Sequence, residues 1–332
     1  MTDGPLASFC LKSFNQKAYI GEALDGAFAQ TYRPLEIVIC DDHSTDGSWD
    51  LIEERVRAWK SARVGTEDRV SLIVHRNEVN LGNTKNWEMC GKLAHGEILI
   101  KADGDDISLP ERTAKVVEAW VRDGKRAKVV THAVTTIPGD LVIADRHARW
   151  PLGAGMAWTR DCFEGWPEIG DDCRRSFDDI IYSMRGVLLG PDLILTDRLV
   201  RYCLGSGETS ALHSYRRPYA RGQEANLAGS PQKRRDLEVA LQKGWIDRAR
   251  YETELKGLVE SDSVCGALLD LMSESSGFLR KWRAFQRVKY QFNWRGRIAF
   301  GIFLFPPVLS EPLMALAMRL RSWIKRGSGP AL

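Results

Sequence analysis

The sequence predicts an α/β fold: a mainly parallel central sheet flanked by helices, followed by a helical C-terminal extension. Three observations carry that expectation. Short apolar runs alternate with helix-length amphipathic stretches through the first half of the chain, as in parallel strands joined by crossover helices. Polar motifs directly follow those runs, at the carboxyl ends where open α/β sheets bind ligands. From about Ser214 the sequence becomes polar and Leu-punctuated, with helical periodicity.

Taken in order, Ala7–Leu11, Leu35–Cys40, Val70–His75 and Glu97–Lys101 read as strands, being mostly apolar with β-branched or small residues. Tyr19–Gln30, Gly47–Arg63 and Asn83–Ala94 lie between them as helices. A helix follows Pro110 to about Asp123, then a strand near Lys128–Ala133. Thr135–Gly155 reads as loop, and a further strand-helix pair starts at Met156. Arg216-Arg217-Pro218 and Gly229-Ser230-Pro231 read as linker, with helical stretches over Asp236–Leu258 and Val264–Met272 beyond them.

The 332 residues suffice for one large domain plus an appendage, or for two domains. A formal charge of +3 is too small to imply nucleic-acid binding. Seven scattered cysteines without a C-x-x-C pair read as reduced thiols of a cytosolic protein. Met1–Leu11 lacks the basic and apolar regions of a secretory signal, so the domain is expected to face the cytoplasm.

The chemistry concentrates in the polar motifs. Asp103-Gly104-Asp105-Asp106 follows a strand and precedes a helix start. Two carboxylates one residue apart, Asp103 and Asp105, can both reach a hard divalent cation, Mg²⁺ or Mn²⁺, that also holds phosphate oxygens. Gly104 lets the backbone turn closely beneath them. A second cluster, Asp41-Asp42-His43-Ser44-Thr45-Asp46-Gly47, offers a carboxylate for a base N–H or a ribose hydroxyl, with Ser44 or Asp46 capping the next helix. Asn15, after the first strand, lines the same crevice.

Ser13-Phe14-Asn15, Ala29-Gln30-Thr31-Tyr32, the Asp41–Gly47 run, Asn80-Leu81-Gly82 and Asp103–Asp106 occur in this order. Over roughly residues 5 to 210 their separations resemble those of the inverting glycosyltransferase family 2, which has the GT-A fold. The resemblance implies that Asp42, supported by Asp41, contacts the nucleoside base, with Ser13 and Asn15 at the nucleotide-facing end of the first strand. It implies Asp103 on the ribose or metal side and Asp105 on the metal and diphosphate. Lys12 is a departure, since relatives often carry Pro and Thr or similar there. Phe177-Asp178-Asp179-Ile180-Ile181, with Arg185 beyond, is similar to the family's Glu-Asp-x-x-Leu…Arg pattern, which makes Asp179 the general base and puts Asp178 on the acceptor side; Asp172 is its rival. Gly153–Trp158 resembles the acceptor-side strand; Trp158 is a candidate to stack on a sugar, against the commoner reading of a tryptophan as a core or interface residue. The Tyr-Arg-x-His run of many relatives has no counterpart in Arg201-Tyr202-Cys203-Leu204-Gly205; His213, eight residues on, reads as a solvated loop histidine, with substitution through a longer loop as the alternative.

The implied organisation is a GT-A catalytic domain over 1–213, with a nucleotide-sugar half at about 1–110 and an acceptor half at about 111–213. A helical extension follows over 214–332. Its segment Ile298–Met318 carries one charge, Glu311, between basic flanks. A helix of that length would cover roughly 30 Å, but Pro306, Pro307 and Pro312 would break it, which favours an interfacial hairpin against anionic lipid. The expected activity is metal-assisted transfer of a sugar, from a UDP-sugar by default, to a glycan or lipid-linked acceptor at the cytoplasmic membrane face in surface polysaccharide or glycan synthesis. Two rivals are a catalytically inactive interaction protein on the same fold and a nucleotidyltransferase. No nucleic-acid partner is expected.

Overall fold

A computed structural model describes residues 4–65, 69–137, 142–143, 153–203, 216–273, 275–291 and 304. Strands β1 (Ala7–Ser13), β2 (Leu35–Asp41), β3 (Val70–Arg76) and β4 (Ile98–Asp103) form a parallel sheet in the order β3-β2-β1-β4. Helices α1 (Ile20–Phe28), α2 (Ser48–Ala62) and α3 (Asn83–Leu93) connect them. The chain reverses its winding beside β1, the switch point where such sheets open a crevice.

Beyond β4 the sheet is mixed. After the two-residue β5 (Ile107–Ser108) and helix α4 (Arg112–Arg122) come β6 (Val129–Ile137), β7 (Val142–Ile143), β8 (Met156–Thr159), helix α5 (Asp178–Leu189) and β9 (Asp192–Cys203). β8 lies antiparallel between β4 and β6, β9 runs parallel to β6, and β5 pairs antiparallel with β9. The strands β5, β7 and β9 are additions to the expected list, and the end of β6 pairs with β7 inside the 135–155 stretch expected as loop. Asp192, Asp197, Arg198 and Arg201 interrupt the apolar pattern of β9. Its first half is only partly covered, so packing makes no demand for an apolar run there.

Strand periodicity sorts the core into two layers. Phe9 and Leu11 of β1, Ile37 and Ile39 of β2, and Ile98 and Ile100 of β4 pack on the side of α1, α2 and α4. Cys10, Val38, Cys40 and Leu99 face the other way, against Trp87 and Cys90 of α3 and Ile181 and Tyr182 of α5. Lys12 and Lys101 belong to this second face by the same alternation. In register Lys12 lies opposite Asp103, and Lys101 opposite Cys10.

The C-terminal region differs from the linker reading. Helix α6 (Arg216–Gln242) runs unbroken through Gly229-Ser230-Pro231. A Cβ at Gly229 would come 2.6 Å from Ser176 Oγ, so the small residue permits close packing there. Ser230 Oγ donates to Asp262 at 2.6 Å. Asp236 accepts from Arg185 of α5 at 2.7 and 3.1 Å with both side chains buried, which pins α6 to the sheet domain. The real break lies at 243–247, where Gly244 takes φ 68°. Asp247 then caps α7 (Arg248–Met272) by accepting from Arg250 N–H at 2.8 Å. Helix α8 (Phe278–Val288) follows. The expected division at 213, His213 and all of 298–318 except Leu304 lie outside the described residues.

Candidate active site

The loop after β2 is built by its own carboxylates. Asp41 accepts from Ser44 N–H at 2.8 Å and Ser44 Oγ–H at 2.5 Å. Asp46, rather than Ser44, caps α2, accepting from Ser48 N–H at 2.9 Å. Asn15, with φ 50°, ties the end of β1 to this loop: its side chain accepts from Thr45 N–H at 2.8 Å. Asp42 is buried and takes Asn77 Nδ2, Leu81 N–H and Gly82 N–H at 2.8 Å each, plus Asn80 Nδ2 at 3.1 Å. Its carboxylate therefore shapes the 77–82 loop. Ser13 is buried, and its hydroxyl has no hydrogen-bond partner among the described residues.

The acidic turn and the start of α5 meet around two buried lysines. Lys12 Nζ lies 3.2 Å from Asp103 Oδ1 and in closer contact with Asp178 and with Asn83 of α3. Lys101 Nζ lies 2.6 Å from Asp103 Oδ2 and 3.6 Å from Asp178 Oδ2. Burial alone would raise the Asp103 pKa, but the charges of Lys101 and Lys12 overcome it and hold the group below the usual carboxylate range. Burial would likewise deprotonate Lys101, and the carboxylates of Asp103, Asp178 and Asp179 reverse that. This quartet ties β1, β4 and α5 together, and Lys12, the departure from the family pattern, is at its centre. Lys101 was legible as a lone charge in an apolar strand, a residue that needs a buried counterion.

Asp179 follows directly. Its backbone N–H donates to Asp178 Oδ1 at 2.7 Å, while its own Oδ1 is buried with no partner among the described residues. Burial and then the Asp178 charge push its pKa up to about 6. Gly153 lies against it, and a Cβ there would come 2.8 Å from Asp179 Oδ2. The structure thus brings Asp103, Asp178 and Asp179 together.

Two sequence candidates fall away. Trp158 is fully buried, on a strand paired on both sides, with its ring 5.5 Å from Trp87 and 6.2 Å from Tyr182. It is a core residue and cannot stack on a sugar. Asp172 is engaged by Arg235 of α6 at 2.9 Å through both oxygens, on the surface.

Behind the acidic turn lies an unanticipated polar chain. Asp106 accepts from Cys203 N–H at 3.0 Å, joining the end of β9 to the turn. Burial, then Asp103 and Asp105, raise its pKa to about 8. Buried Arg112 donates to Ser108 Oγ and Ala154 O, both at 2.8 Å, and to His132 Nε2 at 2.9 Å. Burial and the Arg112 charge lower His132 to about 3, so its Nε2 accepts and its Nδ1–H points at Ala133 O, 2.9 Å away.

The donor set bears on the expected metal. Both oxygens of Asp103 are on ammonium groups. Among the described residues no three His, Cys, Asp or Glu side chains converge on a cation position. With both oxygens engaged, Asp103 does not fit a cage that uses it as a full ligand.

Residues 8–162 match the family model described as Glycosyl transferase family 2. Among curated proteins, the chain is 34% identical over 190 residues to abequosyltransferase RfbV of Salmonella typhimurium, covering 56% of this chain and 49% of that protein. It is 31% identical over 130 residues to the putative glycosyltransferase EpsE of Bacillus subtilis, covering 39% and 43%. Over 101 residues it is 32% identical to the Escherichia coli UDP-Glc:alpha-D-GlcNAc-diphosphoundecaprenol beta-1,3-glucosyltransferase WfaP, covering 30% and 36%. The chain thus spans half or less of the length of these relatives. Two solved structures share the fold at a TM-score of 0.50. One is S. aureus TarS 1-349 in complex with UDP-GlcNAc, at 18% identity, covering 85% of this chain and 87% of that one. The other is the mannosyltransferase PcManGT from Pyrobaculum calidifontis with GDP-Man and Mn2+, at 16% identity, covering 96% and 85%. Motif order, the crevice beside β1 and these matches converge on one assignment: residues 8–162 form a glycosyl transferase family 2 domain.

Proposed function

We propose that the chain transfers a sugar from a nucleotide-sugar donor to a hydroxyl of a glycan or lipid-linked acceptor, with inversion, in surface polysaccharide or glycan synthesis. One observation supports this most: the acidic turn and the start of α5 converge on Lys12 and Lys101, leaving Asp179 with an unpartnered buried oxygen. A general base needs such an oxygen and a raised pKa. In this reading Asp179 takes the proton of the acceptor hydroxyl as that oxygen attacks the anomeric carbon from the face opposite the nucleotide. One displacement inverts the configuration. Asp178, fixed by two lysines, sets the start of α5 and so the position of Asp179.

Mg²⁺ or Mn²⁺, when bound, would neutralise charge developing on the diphosphate. Asp105 is assigned as its main protein ligand, with Asp103 beside it on the ribose side. Asp41, Asp42, Ser13 and Asn15 are assigned to the nucleoside end, with Asp42 acting through the loop that it shapes. UDP is the default nucleotide, in line with the donor in the name of WfaP. Contact with the cytoplasmic membrane face is assigned to 298–318; among the described residues no helix is long and apolar enough to cross a membrane.

The test is a panel of nucleotide sugars with the purified chain. Asp179→Asn should retain nucleoside diphosphate binding and lose transfer by roughly 10²–10⁴-fold. Full transfer by that variant would remove Asp179 from the mechanism.

A further inference from the structure

Helix α8 shows the solvent a face that globular packing does not explain. Lys281, Ala284 and Val288 are its buried side, against Leu268, Leu271 and Met272 of α7. On the opposite side Phe278 is 62%, Leu279 71% and Trp282 43% exposed, and Tyr290 in the following 3₁₀ turn is 73% exposed. At 100° per residue Leu279 and Trp282 fall on one stripe. The rings of Phe278 and Trp282 stack with centroids 6.3 Å apart, which holds them as a unit outside the core.

The charge beside this stripe is mainly basic. Arg280, Arg283 and Arg287 run along one edge, and Lys289 lies at the other, its Nζ over the Tyr290 ring at 4.7 Å. Arg280 reaches Asp270 of α7 at 2.6 Å. No Asp or Glu occurs in the sequence from Ser275 to Ser310, and seven Lys or Arg do. A helix with exposed aromatics beside arginines matches a bilayer interface, where rings enter the headgroup boundary and guanidinium groups meet lipid phosphates. Leu304, the described residue of the apolar segment 298–318, packs against the cluster that holds Ala284 and Val288, on the side of α8 away from this face.

We propose that the exposed face of α8 is a docking surface for an anionic lipid bilayer, separate from the 298–318 segment and absent from the sequence-based expectations. It needs no assumption about the transfer reaction.

The test is co-sedimentation of the full chain with vesicles of phosphatidylcholine alone and of phosphatidylcholine with 30% phosphatidylglycerol. The chain should prefer the anionic vesicles, and added salt should weaken binding. Arg283→Gln with Arg287→Gln should lower the partition coefficient about 25-fold, roughly fivefold per basic residue. Leu279→Ser with Trp282→Ser should lower it as well. These side chains are exposed, so unchanged thermal melting verifies the fold. If both variants bind like the parent, contact runs through 298–318 alone and the α8 proposal is overturned. No binding by the parent, or variants that only dissociate a dimer, would equally overturn it, the face then being covered by the chain itself or by a second copy. Nucleoside diphosphate binding, measured alongside, reports separately on the glycosyltransferase reading.

Discussion

Asp178 and Asp179 are adjacent in sequence and opposite in setting. Asp178 lies against two ammonium groups, whereas Asp179 keeps one oxygen without a partner. If Asp179 is the base, the rate must rise as it ionises, so kcat/KM should climb with pH through a limb near 6. A profile flat from pH 5 to 7 would contradict that. The same shift has a stability consequence. The folded-state pKa lies above the unfolded value, so ionised Asp179 destabilises the fold above about pH 6 and has no such effect below the unfolded pKa. Asp179→Asn should therefore be more stable than the parent by on the order of 1 kcal/mol at pH 7, with the gain fading toward pH 4 in denaturant titrations. Lys101→Met should do the reverse. It leaves Asp103 and Asp178 sharing Lys12 alone, and breaking a buried ion group from one side costs about 3–5 kcal/mol. Urea midpoints at pH 7 would measure it.

At the level of elements, β1, β2 and β4 were legible because they are buried on both faces, and continuous apolar runs are then obligatory. The acidic turns were legible for a related reason, since they follow those runs directly. What sequence could not supply was contact between distant elements. Gly229-Ser230-Pro231 carries every local sign of a linker, yet close packing on Ser176 and Ile180 keeps it helical. Trp158 suggested a sugar platform, but its place on a strand paired on both sides puts it in the core. The quartet around Lys12 was only half legible, because register between β1 and β4 decides which charges meet. The Arg185–Asp236 pair is the clearest case of an inter-element tie, being the main buried polar link from α5 to α6. Asp236→Ala should cost about 3–5 kcal/mol, since it strands a buried guanidinium. If α6 also supports α5, the variant should lose transfer at temperatures where nucleotide binding survives. Equal loss of both would argue for global unfolding.

Across the whole molecule, the nucleotide end and the proposed base belong to different parts of the chain joined through one mixed sheet, so donor binding should stabilise the entire domain. Mass action sets the size: a ligand at 100 times its Kd adds about 2.7 kcal/mol, a rise in Tm of a few degrees for a domain of this size. The metal assignment fixes how that rise should depend on conditions. Asp103 has both oxygens on Lys12 and Lys101, so it is not open to a cation in the absence of the donor. Cation and diphosphate should consequently bind together. Mn²⁺ alone should barely move Tm, UDP alone should move it weakly, and the two together should give the full shift. Asp105→Ala should reduce the combined shift to that of UDP alone, and a chelator should do the same to the parent. A full shift that persists in chelator and in Asp105→Ala would mean that the diphosphate binds without a cation, and the metal would leave the reaction.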